Sequence, residues 1–136
     1  MDYERLKDEL IRDEGIRLKP YHCSAGHLTL GIGRNLDAKG ISSEEALYLL
    51  ENDIREVEEE LDKALPWWRK LSEVRQRVLL NMGFNLGVKG LLGFHHTLTL
   101  AEEGRYDEAA LAMLSSAWAV QVGARAQRLA QMMREG

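Results

Sequence analysis

The stretch Asp13-Glu14-Gly15-Ile16-Arg17-Leu18-Lys19, continued by Thr29-Leu30-Gly31-Ile32-Gly33-Arg34, decides how the rest of the chain is read. Upstream of it, Asp2 is a good helix N-cap, and Leu6, Leu10 and Ile11 form an apolar stripe, so a helix is expected over about 2–14. Asp13 and Glu14 fall in its last turn, where the helix dipole disfavours negative charge and favours a protonated carboxyl. Gly15 suits a left-handed cap. Two extended segments follow, Leu18–Cys23 and Leu28–Ile32, separated by Ser24-Ala25-Gly26-His27. They alternate poorly in hydrophobicity, but their glycines and turn residues favour a short hairpin over more helix. A carboxylate at a helix end facing a small sheet builds a cleft with an acid in it. Taken without its flanks, Glu14 reads first as a solvated acidic helix end.

Beyond the hairpin, Arg34 to Gly40 reads as a polar, turn-rich link. Ser42 and Glu45 then form a capping box that opens a long helix. Leu47, Leu50, Ile54, Val57, Leu61 and Leu65 follow at spacings of three and four, and Pro66 stops the run. The acidic residues on its other face, from Glu51 to Asp62, read as a solvated surface. Trp67-Trp68 reads as a core or inter-lobe plug, with a platform for stacking sugars as the alternative. Ser72 caps a further helix with Val74, Val78, Leu79 and Met82 inward, and another opens at Tyr106 with Leu111 and Leu114 expected inward. The glycines between residues 83 and 93 imply turns or close helix contacts.

Composition narrows the function classes. At 136 residues, with 45% hydrophobic and 29% charged side chains, the chain suffices for one domain with a core. Residues 1–62 hold 8 Lys and Arg against 16 Asp and Glu, and residues 63–136 hold 10 against 6. Basic surface must therefore come from the second half, and nucleic acid is not expected as a partner, since phosphate binding needs concentrated Lys and Arg. One cysteine cannot form an internal disulfide. No run of about 18 apolar residues occurs, so stable membrane insertion is not expected. The first residues carry no charged-then-apolar leader pattern, and no export anchor is expected in them. His95 and His96 are adjacent and point apart on a helix, and no zinc-site spacing involves His22 or His27, so no metal or cofactor is expected.

Glu14, eight residues, Cys23, five residues, Thr29 resembles the signature of the phage lysozymes (endolysins), in which Glu is followed by Asp or Cys and then Thr at that spacing. Asp13 to Lys19 and Thr29 to Gly33 resemble the flanks of that signature. Asn81 to Gly87, Gly90 to Phe94, Ser116-Ala117-Trp118 and Gly123 to Arg128 resemble the same family further along, so the likeness runs from about residue 3 to about residue 134. It implies an α+β, mostly α, lysozyme-like fold within a single domain. A small N-terminal lobe of about 13–42 carries the short β-hairpin, and a linking helix spans about 43–65. A helical C-terminal lobe of about 66–136 is completed by the N-terminal helix of about 2–14. The sheet region is shorter than is usual in the family, so the small lobe is expected to be pared down.

The resemblance also implies the chemistry: hydrolysis of the β-1,4 bond between N-acetylmuramic acid and N-acetylglucosamine in peptidoglycan by an inverting mechanism. Glu14 is the proton donor, while Cys23 and Thr29 hold and activate the attacking water. Asn35, Phe84 and Thr97 line the substrate groove, and Arg125 approaches Glu14. The partner is the glycan strand, the enzyme is a monomer, and it waits in the host cytoplasm for holin-dependent release to the wall. A thiol near its unperturbed pKa of about 8.5 is only a few per cent ionised at neutral pH. Cys23 is thus a weaker base than a carboxylate, though still a partner for water. As a nucleophile it would leave the anomeric carbon reluctantly. The bland readings are a small buried hydrophobe for Cys23, a plain strand residue for Thr29 and a core ring for Phe84. A glycan-binding module that no longer cuts, and a lytic transglycosylase relying on Glu14, remain the alternatives in function.

Overall fold

A computed structural model describes all residues, 1–136. It is α+β and mostly helical, as expected. The chain divides into two compact units, Met1–Tyr48 and Leu49–Gly136.

The first unit opens with α1 (Tyr3–Glu14), whose N-terminus is capped by Asp2 Oδ1 accepting from the Arg5 N–H at 3.0 Å. Gly15 closes it, donating its N–H to Ile11 O at 2.8 Å. Expected among the helices of the larger lobe, α1 lies within Met1–Tyr48 in this division.

The hairpin strands are β1 (Arg17–His22) and β2 (Leu28–Gly31), each ending one residue earlier than expected. Their pairing slips between Arg17 and Tyr21, where Pro20 has no N–H to contribute to the ladder. The expected hairpin is in fact a three-stranded antiparallel sheet in the order β1-β2-β3, with β3 at Arg34–Asn35. Gly31-Ile32-Gly33 joins the paired Leu30 and Arg34, with both glycines at φ +71. The supposed link therefore holds a strand, and also the single-turn helix α2 (Leu36–Lys39), capped by Asn35 Oδ1. Elements this short carry no periodicity for a sequence reading to detect.

Thr29 is the only buried residue of the first unit. Polar links replace an apolar core there. Arg34 donates two bonds to the Glu45 carboxylate, at 2.8 and 2.9 Å, and a third to Gly40 O at 3.1 Å. Glu45 and Ser42 complete the expected capping box at 2.9 and 3.1 Å. Asp37 Oδ2 accepts from the Leu28 N–H at 2.7 Å, tying α2 to β2.

The long helix α3 (Ser43–Ala64) begins in the first unit and continues in the second. Leu65 lies just past its end but is buried. The second unit adds α4 (Glu73–Leu86), α5 (Val88–Leu92), α6 (His95–Glu102), α7 (Tyr106–Leu114), α8 (Ala117–Val122) and α9 (Ala124–Glu135). Leu61, Trp68, Val78, Leu79, Met82, Leu91, Met113 and Met133 form its fully enclosed core. Full burial of such side chains stabilises by roughly 1.5–3 kcal/mol each.

Trp68 is the plug expected of the tryptophan pair, its Nε1–H donating to Asp62 Oδ1 at 2.7 Å. Gly83 permits close approach of α3 to α4, since a Cβ there would lie 3.0 Å from Val57 Cγ1. Leu111 does not point inward as expected. It is 62% exposed, and Ala109, Ala110 and Met113 form the inner face of α7. Arg75 stacks 3.4 Å from the Tyr106 ring and donates to Met133 O and Arg134 O, which anchors the end of α9. No helix is long and apolar enough to cross a membrane.

The Arg34 guanidinium and the Ser42 bonds hold the Glu45 carboxyl at about 2, against an ordinary value of 4.5. A carboxyl depressed in the folded state contributes stability above its unfolded pKa, and that contribution is lost as pH falls through the folded value. Thermal unfolding should therefore show wild type melting above a Glu45→Gln variant at neutral pH. The gap should close between about pH 5 and pH 2. A gap independent of pH over that range would remove the pair from the account.

Candidate active site

Glu14 is the last residue of α1, and its side chain lies against the turn between β2 and β3. A Cβ built on Gly33 would sit 2.8 Å from Glu14 Oε2 and 3.1 Å from its Cδ. The helix cap at Gly15 turns the chain into β1, so helix end and sheet stay adjacent.

Cys23 follows β1 directly. Its N–H donates to His27 O at 2.9 Å and its carbonyl accepts from the Gly26 N–H at 2.8 Å, closing the tight turn. Directly paired residues of an antiparallel ladder share a face. Tyr21 pairs with Thr29, and Thr29 with Asn35, so Thr29 and Asn35 share one face of the sheet, while the Cys23 N–H and the Thr29 hydroxyl both donate to His27 O. Three of the residues expected at the site are thereby brought together.

The thiol of Cys23 is pulled below the ordinary cysteine range. The backbone amide of His27 contributes most and that of Ala25 next, with a smaller contribution from the Thr29 side chain; desolvation opposes them. Thr29 is 4% exposed, and its hydroxyl donates to His27 O at 2.8 Å. Oγ1 also carries lone pairs, which can accept from a bound water. Asn35 Oδ1 is used in capping α2, which leaves its NH₂ group as the part available to a ligand.

The second-unit candidates are described within that unit alone. Phe84 is 46% exposed, so it is not a core ring. It lines an apolar hollow of about 540 Å³ with Leu50, Ile54, Leu80, Asn81 and Arg125. Thr97 is 5% exposed and lines a separate hollow of about 560 Å³ with Phe94, His95, His96 and Glu108. Phe84 and Thr97 thus line separate hollows. Arg125 donates Nε–H and Nη2–H to Asn81 Oδ1 at 2.9 and 2.8 Å. The Asn85 side chain accepts from Trp118 Nε1–H at 2.8 Å. Sequence reasoning missed Gly33 and the Arg34–Glu45 pair. A Gly-x-Gly turn was the only signal for the first, and a separation of eleven residues hid the second.

The phage lysozyme family model matches residues 12–134, an interval that contains Glu14, Cys23 and Thr29. The chain belongs to the phage lysozyme family. It is 29% identical over 96% of its length to "Probable T4-type lysozyme 1" of Dictyostelium discoideum, covering 94% of that protein. It is also 29% identical, again over 96% of its length, to the pre-baseplate central spike protein Gp5 of Enterobacteria phage T4. The chain spans only 28% of that longer protein. For this lysozyme-family chain, the local environment of Cys23 is directly testable. The rate of its alkylation against pH should inflect below that of a free cysteine peptide, and unfolding in urea should restore the ordinary midpoint. An inflection unchanged by unfolding would mean that the turn amides do not act on the thiol.

Proposed function

We propose that this lysozyme cleaves the β-1,4 bond between N-acetylmuramic acid and N-acetylglucosamine with inversion, using Glu14, Cys23 and Thr29. Membership of the family supports glycoside hydrolysis as the reaction class. The observation that supports the finer reading is that Cys23 and Thr29 converge on the same His27 carbonyl in one tight turn, inside the matched interval.

In this reading the Glu14 carboxyl gives its proton to the glycosidic oxygen as the bond to the anomeric carbon breaks. A water on the opposite sugar face supplies the new oxygen. Thr29 Oγ1 accepts one hydrogen of that water, and the Cys23 thiolate takes the proton that the water loses. Two acceptors on the water's hydrogens leave its lone pair directed at carbon. The lowered thiol pKa supports the assignment of base, because more of the thiolate is present at neutral pH than an ordinary cysteine would supply. The Asn35 amide is assigned to the glycan. Phe84 and Thr97 are assigned to separate parts of the bound strand.

Turbidity clearance of purified cell walls tests the assignment. Glu14→Gln keeps size and removes the transferable proton, so it should cost at least about 10²–10⁴-fold. Lysis near the wild-type rate would sink the role of Glu14. Cys23→Asp should retain substantial activity and move the rising limb of the pH profile toward acid, since a carboxylate is ionised well below a thiol. Cys23→Ala should lose far more. If Cys23→Ala matched wild type, the thiol would be packing alone.

A further inference from the structure

We propose that Gly33 is a positioning residue for Glu14: the bare backbone at Gly33 is the surface that seats the acid's carboxyl group. This deepens the reading of Glu14 given above and rests on it. The contact involves the functional end of the side chain, because a Cβ at position 33 would lie 2.8 Å from Oε2, 3.1 Å from Cδ and 3.3 Å from Cγ. Distances under about 3.0 Å are not tolerated by real side chains, so one partner must move.

The turn is the less yielding of the two. Arg34, the next residue, is held by Glu45 and by Gly40 O, whereas Glu14 is an exposed side chain with free rotors. A methyl group at position 33 would therefore swing the carboxyl away and leave the fold in place. A shift of about 1 Å at a reacting group can cost on the order of 10²-fold in rate.

The same turn supplies its own control. Gly31 has the same φ of +71, but a Cβ there would meet nothing within 4 Å. Alanine at either position imposes the strain of a positive φ. Only at Gly33 does it also collide with the acid.

The experiment compares Gly31→Ala and Gly33→Ala in wall lysis and thermal unfolding, with Gly31→Asn and Gly33→Asn as a second pair. Asparagine tolerates the left-handed region better and still carries a Cβ, so it keeps the comparison valid if the alanine variants fold poorly. The two positions should lose similar melting temperature. The Gly33 variants should lose about 10²-fold more kcat than the Gly31 variants, with KM little changed. In a Glu14→Gln background, the extra loss at Gly33 should vanish, because a displaced group that no longer donates a proton has nothing further to lose. Equal kcat losses at the two glycines, with Glu14→Gln inactive, would overturn this inference alone. An extra Gly33 loss that persists in the Glu14→Gln background would assign the effect to the turn and overturn it too. A fully active Glu14→Gln would instead overturn the role of Glu14, and this inference with it.

Discussion

The Arg34–Glu45 ion pair is the interaction on which the small unit depends. With Thr29 as its only buried residue, Met1–Tyr48 has no apolar core to fix the sheet. Exposed ion pairs usually contribute little. This one is bidentate, shares its guanidinium with the Gly40 carbonyl and closes onto the capping box at the start of α3. Fork-to-fork geometry confers directional order that a single contact lacks. It fixes the first residue of β3 relative to α3, and the residue before it is Gly33.

Two different kinds of stabilisation are therefore present in one chain. The second unit encloses leucines, methionines and Trp68, and its last helix is anchored by Arg75 between Tyr106 and the carbonyls of Met133 and Arg134. The first unit relies on polar bonds close to water, and such regions open locally at lower free energy than a packed core. The residues assigned to proton transfer lie in the first unit. Their placement is accordingly set by turns and caps, with little help from burial.

Much of this was legible in the sequence, and the exceptions have physical causes. The end of α1 at Glu14, the hairpin strands and the start of α3 all carry local signals: a cap, turn residues, a capping box and a stripe of leucines. The spacing from Glu14 to Cys23 and Thr29 marked the family before any geometry. Strand β3 and helix α2 escaped because two and four residues hold no period. The inner face of α7 was misjudged because Ala109 to Leu114 is apolar on every side, so size decided what hydrophobicity could not. Alanines and Met113 fit the interior where Leu111 does not. The contact of Glu14 with Gly33, and the separate hollows of Phe84 and Thr97, arise from tertiary packing that no local pattern encodes.

In the proposed mechanism Glu14 donates a proton while water, held by Thr29 and Cys23, attacks from the opposite face of the sugar. Stereochemistry reads this directly. Proton NMR of the first product formed from a purified glycan oligomer in ¹⁸O-labelled water, taken before mutarotation, should show the new reducing end as the α-anomer carrying solvent oxygen. A β-anomer would require two displacements, through an intermediate on an enzyme side chain or on the sugar's own acetamido group. A 1,6-anhydro end without solvent oxygen would mean that the sugar's own hydroxyl, and not the water of Cys23 and Thr29, completes the reaction.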